Sequence, residues 1–148
     1  AKKERGDLAL VLVGDGADRG AIEARITQMG LERDVVLTGF REDIPALLSA
    51  FDLFTLPSRF EGLGIVLIEA QTSGLCCLAA DGIPRDTEIS NCRYLPFDDS
   101  SAWANAIITA RADSLRPFPE EALTARGYEI CAAAEQLKRF YKEAVGRI

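Results

Sequence analysis

The chain has 148 residues, of which 48% are hydrophobic and 27% charged, so one globular domain spanning 1–148 with its own core is expected. Seventeen basic residues stand against 23 acidic ones, a formal net charge of −6, and no basic block interrupts the chain, which argues against a nucleic-acid surface. An anionic small ligand stays open, because helix N-termini and backbone amides hold phosphate locally whatever the total charge.

The sequence contains no histidine, which removes Ser-His and Cys-His catalysis and histidine acid/base chemistry. Cys76, Cys77, Cys92 and Cys131 lack C-x-x-C spacing and are expected to be buried free thiols, so no metal site is expected. Carboxylates, arginines and main-chain amides must do any chemistry. No apolar run reaches the roughly 18 residues needed to span a bilayer, and the start "AKKERGDLAL" has no secretory signal. A cytoplasmic protein is expected. Ala1 stands where no initiator methionine precedes it, so the gene product is expected to begin elsewhere.

In chain order, "LALVLVG" (8–14) is a continuous apolar run, as in a parallel strand covered on both faces. "GDGADRG" follows, and "AIEARITQMG" places Ile22, Ile26 and Met29 at helical spacing, with Gly30 as the stop. The pattern recurs. "DVVLTG" (34–39) is a second strand, "DIPALLSA" (43–50) a short helix with Asp43 as N-cap and Pro45 in its first turn, and "FDLFTLP" (51–57) a third strand. Next come a helix carrying Glu69, a strand "LCCLAA" (75–80), the loop "DGIPRDTEIS" and a weak strand "CRYLPF" (92–97). "SAWANAIITARA" (101–112), capped by Asp99 or Ser100, and 119–148 read as helices. This alternation predicts an α/β, Rossmann-like, doubly wound, mostly parallel sheet.

Ligands of such sheets bind at the carboxyl ends of the strands, in the loops entering helices. Gly14 and Gly16 allow a tight turn and close approach of a ligand, although a G-x-G turn is common in any α/β unit. In "GFRED", Phe40 and Arg41 stand near a strand end, where Phe40 lines a flat aromatic ligand or simply closes the core.

The segment "RFEGLGIVLIEAQTSG" (59–74) is the most informative. Its glycines leave the N–H groups of Gly62, Leu63, Gly64, Ile65 and Val66 unobstructed at a helix start, where the dipole amounts to about half a positive charge. That is a phosphate seat. Glu61 lies before it and Glu69 about one and a half turns into the helix, while Ile65, Val66, Ile68 and Ala70 are expected to pack on the sheet. Ionised carboxylates only accept hydrogen bonds, so beside a bound phosphate they suit a ligand that also carries hydroxyls. A nucleoside diphosphate sugar has both parts.

The series "LVLVGDGADR", "VVLTGFREDIPALLSAFDLFTLPSRFEGLGIVLIEAQTSG" and "GYEICAAAEQLKRFYKEAV" resembles the C-terminal, donor-binding domain of GT-B retaining glycosyltransferases of family 4, the glycosyltransferases group 1 type. The resemblance covers nearly the whole chain, and E-x7-E inside P-S-x-x-E-G-x-G-x-V-x-x-E-A is its specific signature. It implies Glu61 near the hydroxyls of the transferred sugar and Glu69 on the ribose hydroxyls. It also implies that the Gly64, Ile65 and Val66 amides hold the diphosphate, that the Phe40 and Arg41 backbone walls the base, and that Gly14 and Gly16 form the family's glycine loop. No cofactor or metal is implied; the donor substrate is a nucleotide diphosphate sugar, with UDP-hexose favoured by likeness to exopolysaccharide and capsule enzymes. In the full-length enzyme a peripheral position at the inner face of the membrane is expected.

Departures from the family pattern are equally specific. Ala17 stands where proline is frequent, and "ADGIPRDTEIS" differs from the usual glycine pair before a glutamate, which leaves the roles of Arg85 and Glu88 open. The family's first βα unit, with its arginine and lysine, and the acceptor-binding N-terminal domain do not precede "LALVLVG". A fragment that is inactive alone, with a bare strand edge prone to self-association, is therefore expected. A non-catalytic nucleotide-binding or interaction module is the alternative. A nucleotide-sugar epimerase is disfavoured by the lack of histidine, and a phospho-acceptor receiver by the lack of an acidic cluster with a partner lysine.

Overall fold

The computed structural model describes residues 1–110 and 119–146. The backbone groups into two compact units, Ala1–Leu47 and Leu48–Ile148.

In the first unit, β1 (Leu10–Val13) pairs in parallel with β2 (Val35–Gly39), with Leu10 opposite Val35 and Leu12 opposite Leu37. The crossover is α1 (Arg19–Met29), ended by Gly30 at φ +65°, whose N–H bonds the Ile26 and Thr27 carbonyls. This is the stop expected of a glycine that tolerates the left-handed region. The unit has no fully buried hydrophobic side chain among the described residues, and Leu10, Val13, Ile22 and Met29 are exposed. The apolar run 8–14, expected to be covered on both faces, is thus only partly covered.

The second unit holds β3 (Leu53–Leu56), β4 (Cys76–Ala80) and β5 (Cys92–Leu95), parallel and in the order β3-β4-β5. Its helix α3 (Ile65–Thr72) connects β3 to β4 and packs against both. The helix α2 (Ile44–Ala50) precedes β3, and its Leu48 is buried. Asp43 lies just before α2, and Arg41 Nε donates to its carboxylate at 2.7 Å. That hydrogen bond lowers the Asp43 pKa and raises that of Arg41.

All strand pairs are parallel, as the alternating pattern predicts, but they form two hydrogen-bonded sheets rather than one. Among the described residues β1 pairs only with β2 and β3 only with β4, so each sheet ends in an unpaired strand.

The core lies in the second unit, where Leu67, Cys77, Ala79 and Ala80 are completely buried. Burial in α3 falls on Leu67, Ile68, Ala70 and Gln71, whereas Ile65, expected to pack on the sheet, is 61% exposed. A helix places residues 3 and 4 apart on one face, so Leu67, Ile68, Ala70 and Gln71 turn inward together while Ile65 shares the outer face with Glu69.

Asp99, rather than Ser100, caps α4 (Ser100–Thr109): its carboxylate accepts from Ser101 N at 3.1 Å and Ala102 N at 2.9 Å. The expected continuation of that helix at 111–112 lies outside the described residues. The terminal stretch divides into α5 (Glu120–Ala125) and α6 (Ile130–Val145), separated at Gly127, which has φ +75°. Glu129 then opens α6 by accepting from Cys131 N and Ala132 N, and those bonds lower its pKa. A packed cluster of Ile68, Ile89 and Leu123, with Tyr128 against it, joins α3 to α5. In contrast, α6 buries none of its side chains, and Ile130, Leu137, Phe140, Tyr141 and Val145 are exposed.

The four cysteines are free thiols, but of the expected buried set only Cys77 is buried: Cys76 and Cys92 are half-buried, and Cys131 lies on a helix that buries no side chain. Cys77 is buried, and burial pushes its pKa up; the same effect moves Cys92 up to about 11, while Cys131 is exposed. Only thiolate reacts, so a disulfide reagent at pH 8 should modify Cys131 first and spare Cys77 until the chain unfolds. Peptide mass mapping of a partly labelled sample reads this order, and early labelling of Cys77 would contradict the packing of β4.

Candidate functional site

The first unit contributes two loops. After β1, Gly14 takes φ +126° and its N–H bonds the Gly39 carbonyl at 2.9 Å, while Gly16 N–H is held by the Asp15 carboxylate at 2.8 Å. Only the first of these glycines needs its freedom from a Cβ for conformation. The loop lines a cavity of about 320 Å³ together with Leu12, Val13, Arg19 and Ile22. Arg19 is paired with Glu23 at 2.9 Å, and its guanidinium lies 3.7 Å from where a Cβ on Gly39 would be. After β2, Gly39 at φ +69° turns the chain, and Phe40 is 80% exposed. Of the two readings for Phe40, core closure is not what the fold shows.

The second unit contributes the segment 59–74. Gly64 is buried and takes φ +74°, a left-handed conformation that a residue with a Cβ adopts at a cost of about 1–2 kcal/mol. It starts α3: the Leu67 N–H returns to the Gly64 carbonyl at 2.9 Å, and the N–H groups of Ile65 and Val66 begin the helix, where no intrahelical acceptor precedes them. Gly62 and Leu63 form the exposed turn leading in. The methylenes of Glu61 lie 3.9 Å from the Cβ position of Gly64, which sets this half-buried carboxylate beside the helix start. Glu69 is exposed on the same face as Ile65, one helical turn further along. The structure therefore brings Glu61, the helix-start amides and Glu69 onto one short segment, with no apolar side chain at Gly62 or Gly64 to screen the amides.

Loops following the neighbouring strands reinforce this segment. The Arg59 guanidinium stacks 4.9 Å from the Phe97 ring centroid, and a Cβ on Gly82 would stand 3.4 Å from the Arg59 carbonyl oxygen. Asp81 N–H donates to the Leu95 carbonyl at 2.9 Å. The Arg85 guanidinium lies on the Tyr94 ring, 3.4 Å from its centroid, and 3.9 Å from Glu88. Gln71 and Thr87 stand outside the residues that the sequence pattern singles out, yet both are completely buried, and Gln71 Nε2 donates to the Thr87 carbonyl at 2.7 Å. A signal for Gln71 was present: an amide four residues after Leu67 and three after Ile68 stands at a core position of an otherwise apolar helix.

Among the described residues no group of three or more Cys, Asp or Glu side chains is arranged to hold a metal ion, and no helix is long and apolar enough to cross a membrane.

The arrangement has close counterparts. EpsF of Bacillus subtilis is 41% identical over 133 residues, covering 86% of this chain and 35% of EpsF. The UDP-Gal:alpha-D-GlcNAc-diphosphoundecaprenol alpha-1,3-galactosyltransferase of Escherichia coli is 27% identical, covering 94% of this chain and 38% of that enzyme. The chain thus spans little more than a third of the length of these relatives. Among solved structures, sucrose-phosphate synthase of Thermosynechococcus elongatus superimposes with a TM-score of 0.78 at 26% identity, covering 94% of this chain and 39% of the other. HepE of Anabaena, solved in complex with UDP-glucose, gives a TM-score of 0.69 at 25% identity over 95% of this chain and 41% of its own. These folds are GT-B glycosyltransferases. The sequence profile of the glycosyl transferases group 1 family matches residues 1–113, three quarters of the chain and the whole of the glycine loop and the Glu61–Glu69 segment; this chain belongs to that family.

Proposed function

We propose that residues 1–148 form the nucleotide-sugar donor-binding domain of a retaining glycosyltransferase. The full-length enzyme transfers a hexose, from a UDP-sugar, to an acceptor glycan or lipid-linked saccharide in the synthesis of a bacterial surface polysaccharide. The observation that carries this reading is the left-handed Gly64 opening α3 between Glu61 and Glu69. A diphosphate on the Gly64, Ile65 and Val66 amides needs no metal, because the helix dipole and oriented N–H groups supply the positive end. Glu61 then faces the hydroxyls of the sugar and Glu69 those of the ribose, each accepting hydrogen bonds that a neutral side chain would accept less strongly. Gly14 and Gly16 and the Phe40–Arg41 backbone keep the base-side roles that the resemblance implies.

Transfer with retention follows if the acceptor attacks on the face from which the diphosphate departs, with the leaving phosphate taking the acceptor proton. The protein's part is to hold the sugar and to stabilise charge on the departing phosphate. In this reading the acceptor site and further cationic groups lie in the rest of the protein, on the cytoplasmic side and at the inner face of the membrane, and the unpaired strands β1 and β3 meet structure from that part. Without it, the chain alone self-associates and does not transfer.

The test is to incubate the full-length protein with UDP-hexoses and follow UDP release, and in parallel to titrate UDP against the 148-residue chain. Sugar-dependent UDP release by the whole protein, and none by the chain alone, is expected. A whole protein that binds UDP but never releases it from any UDP-sugar, whatever acceptor is supplied, would instead support the non-catalytic module.

A further inference from the structure

Among the described residues, the buried polar side chains are Gln71 and Thr87, each completely inaccessible to solvent, and they are bonded to one another's segments. Gln71 Nε2 donates to the Leu67 carbonyl at 2.9 Å within α3 and to the Thr87 carbonyl at 2.7 Å in the loop after β4. Its Oε1 accepts from Ile89 N and Ser90 N, both at 3.0 Å. All four hydrogen-bonding positions of the amide are used, three of them on backbone of the loop after β4: the carbonyl that ends the 3-10 turn Arg85–Thr87 and two N–H groups just beyond it. Thr87 extends the chain of bonds: its hydroxyl donates to the Pro84 carbonyl at 2.8 Å.

Beyond Pro84 the loop passes Gly82, where an added Cβ would stand 3.4 Å from the carbonyl oxygen of Arg59, two residues before Glu61, so the two loops run side by side. Arg126 Nη1 also donates to the Arg85 carbonyl at 3.1 Å and the Tyr128 hydroxyl to the Asp86 carbonyl at 3.2 Å. Side chains from α3 and from the residues that follow α5 thus hold the loop at 84–90, and its turn at Gly82 lies beside the segment carrying Glu61.

Building a completely buried amide into α3 is costly unless every bond is made, and an apolar residue of the same length would fill the space without that demand. What the amide adds over an apolar side chain is a fixed geometry. We propose that Gln71 and Thr87 are positioning residues of the donor site: through the Pro84–Gly82 turn they set the placement of the Arg59–Glu61 loop, and with it the grip of Glu61 on the sugar. The assignment rests on the donor-binding reading above. Neither residue touches the donor, so both act on its binding and turnover only through that loop.

The test uses the full-length protein with Gln71→Leu, Thr87→Val and Thr87→Ser, assayed well below each variant's melting temperature. Thr87→Val keeps the shape and removes the hydroxyl, while Thr87→Ser restores it. Two readouts are taken: KM for the UDP-sugar against KM for the acceptor, and amide hydrogen exchange at 59–62. Gln71→Leu and Thr87→Val should each raise the donor KM about tenfold, leave the acceptor KM unchanged and speed exchange at 59–62. Thr87→Ser should behave as the wild type.

Unchanged exchange at 59–62 in both Thr87→Val and Gln71→Leu overturns the proposal. So does a fall in melting temperature with no separation of the two KM values, or a Thr87→Ser variant indistinguishable from Thr87→Val. Should Gln71→Leu fail to fold, the Thr87 pair decides alone. A wild type without UDP-sugar turnover whose exchange at 59–62 still responds to Thr87→Val refutes the donor reading and leaves the mechanical coupling in place.

Discussion

Glu61→Ala in the full-length protein should lower the transfer rate by about 100-fold or more while leaving the melting temperature within a few degrees. Glu61 is half-buried, and its methylenes rest beside the backbone of Gly64 rather than filling the core. Truncation therefore removes little packing. What it removes is a carboxylate accepting hydrogen bonds from the sugar hydroxyls, each worth about 1.5–3 kcal/mol when the acceptor is charged. Two such bonds, strengthened as positive charge develops on the sugar ring, account for at least two factors of ten at about 1.4 kcal/mol each. Steady-state UDP release and a thermal melt on the same preparation check it. Parallel losses of activity and stability would return Glu61 to the role of a loop residue.

Glu69→Ala should act differently, weakening UDP binding by about 10- to 100-fold with stability unchanged to about 0.5 kcal/mol. The side chain is exposed on the outer face of α3, away from the buried Leu67, Ile68 and Gln71. Its loss leaves the helix intact and the diphosphate seat in place, and deletes only the acceptor for the two ribose hydroxyls. Glu69→Gln keeps the shape but not the charge and should fall between the two. Calorimetric titration with UDP, and with uracil alone as a ligand lacking the ribose, separates the contributions. Equal weakening for both ligands would mean that Glu69 acts on the site in general and not on the ribose.

Much of this site was legible in the sequence because it is local. Gly62 and Gly64, the helix-start amides and the two glutamates lie within nine residues, Glu61 to Glu69, so helical geometry alone fixes which groups share a face. The stop at Gly30, and a cap at Asp99 or Ser100, were readable for the same reason: Gly30 and Asp99 are each satisfied by backbone no more than four residues away. The split of the last stretch into α5 and α6 was not. Helix formers flank Gly127 on both sides and masked the stop it carries; the break comes from Gly127 in the left-handed region and from Tyr128 packing on the Ile68 cluster, a long-range contact that the local pattern does not express.

The sequence by itself determined the order of strands and helices, their parallel pairing, and the spacing of glycines and glutamates in the Glu61–Glu69 segment, because these depend on periodicity, glycine placement and residue type. Only the tertiary structure decided that the strands form two hydrogen-bonded sets, that Ile65 faces outward and Phe40 stands exposed, and that Gln71 and Thr87 lock the loop after β4. The physical reason is range. Gln71 finds three of its four partners 16 to 19 residues away, and a strand edge stays open or closed according to what lies beside it. Neither condition is written in the residues that experience it.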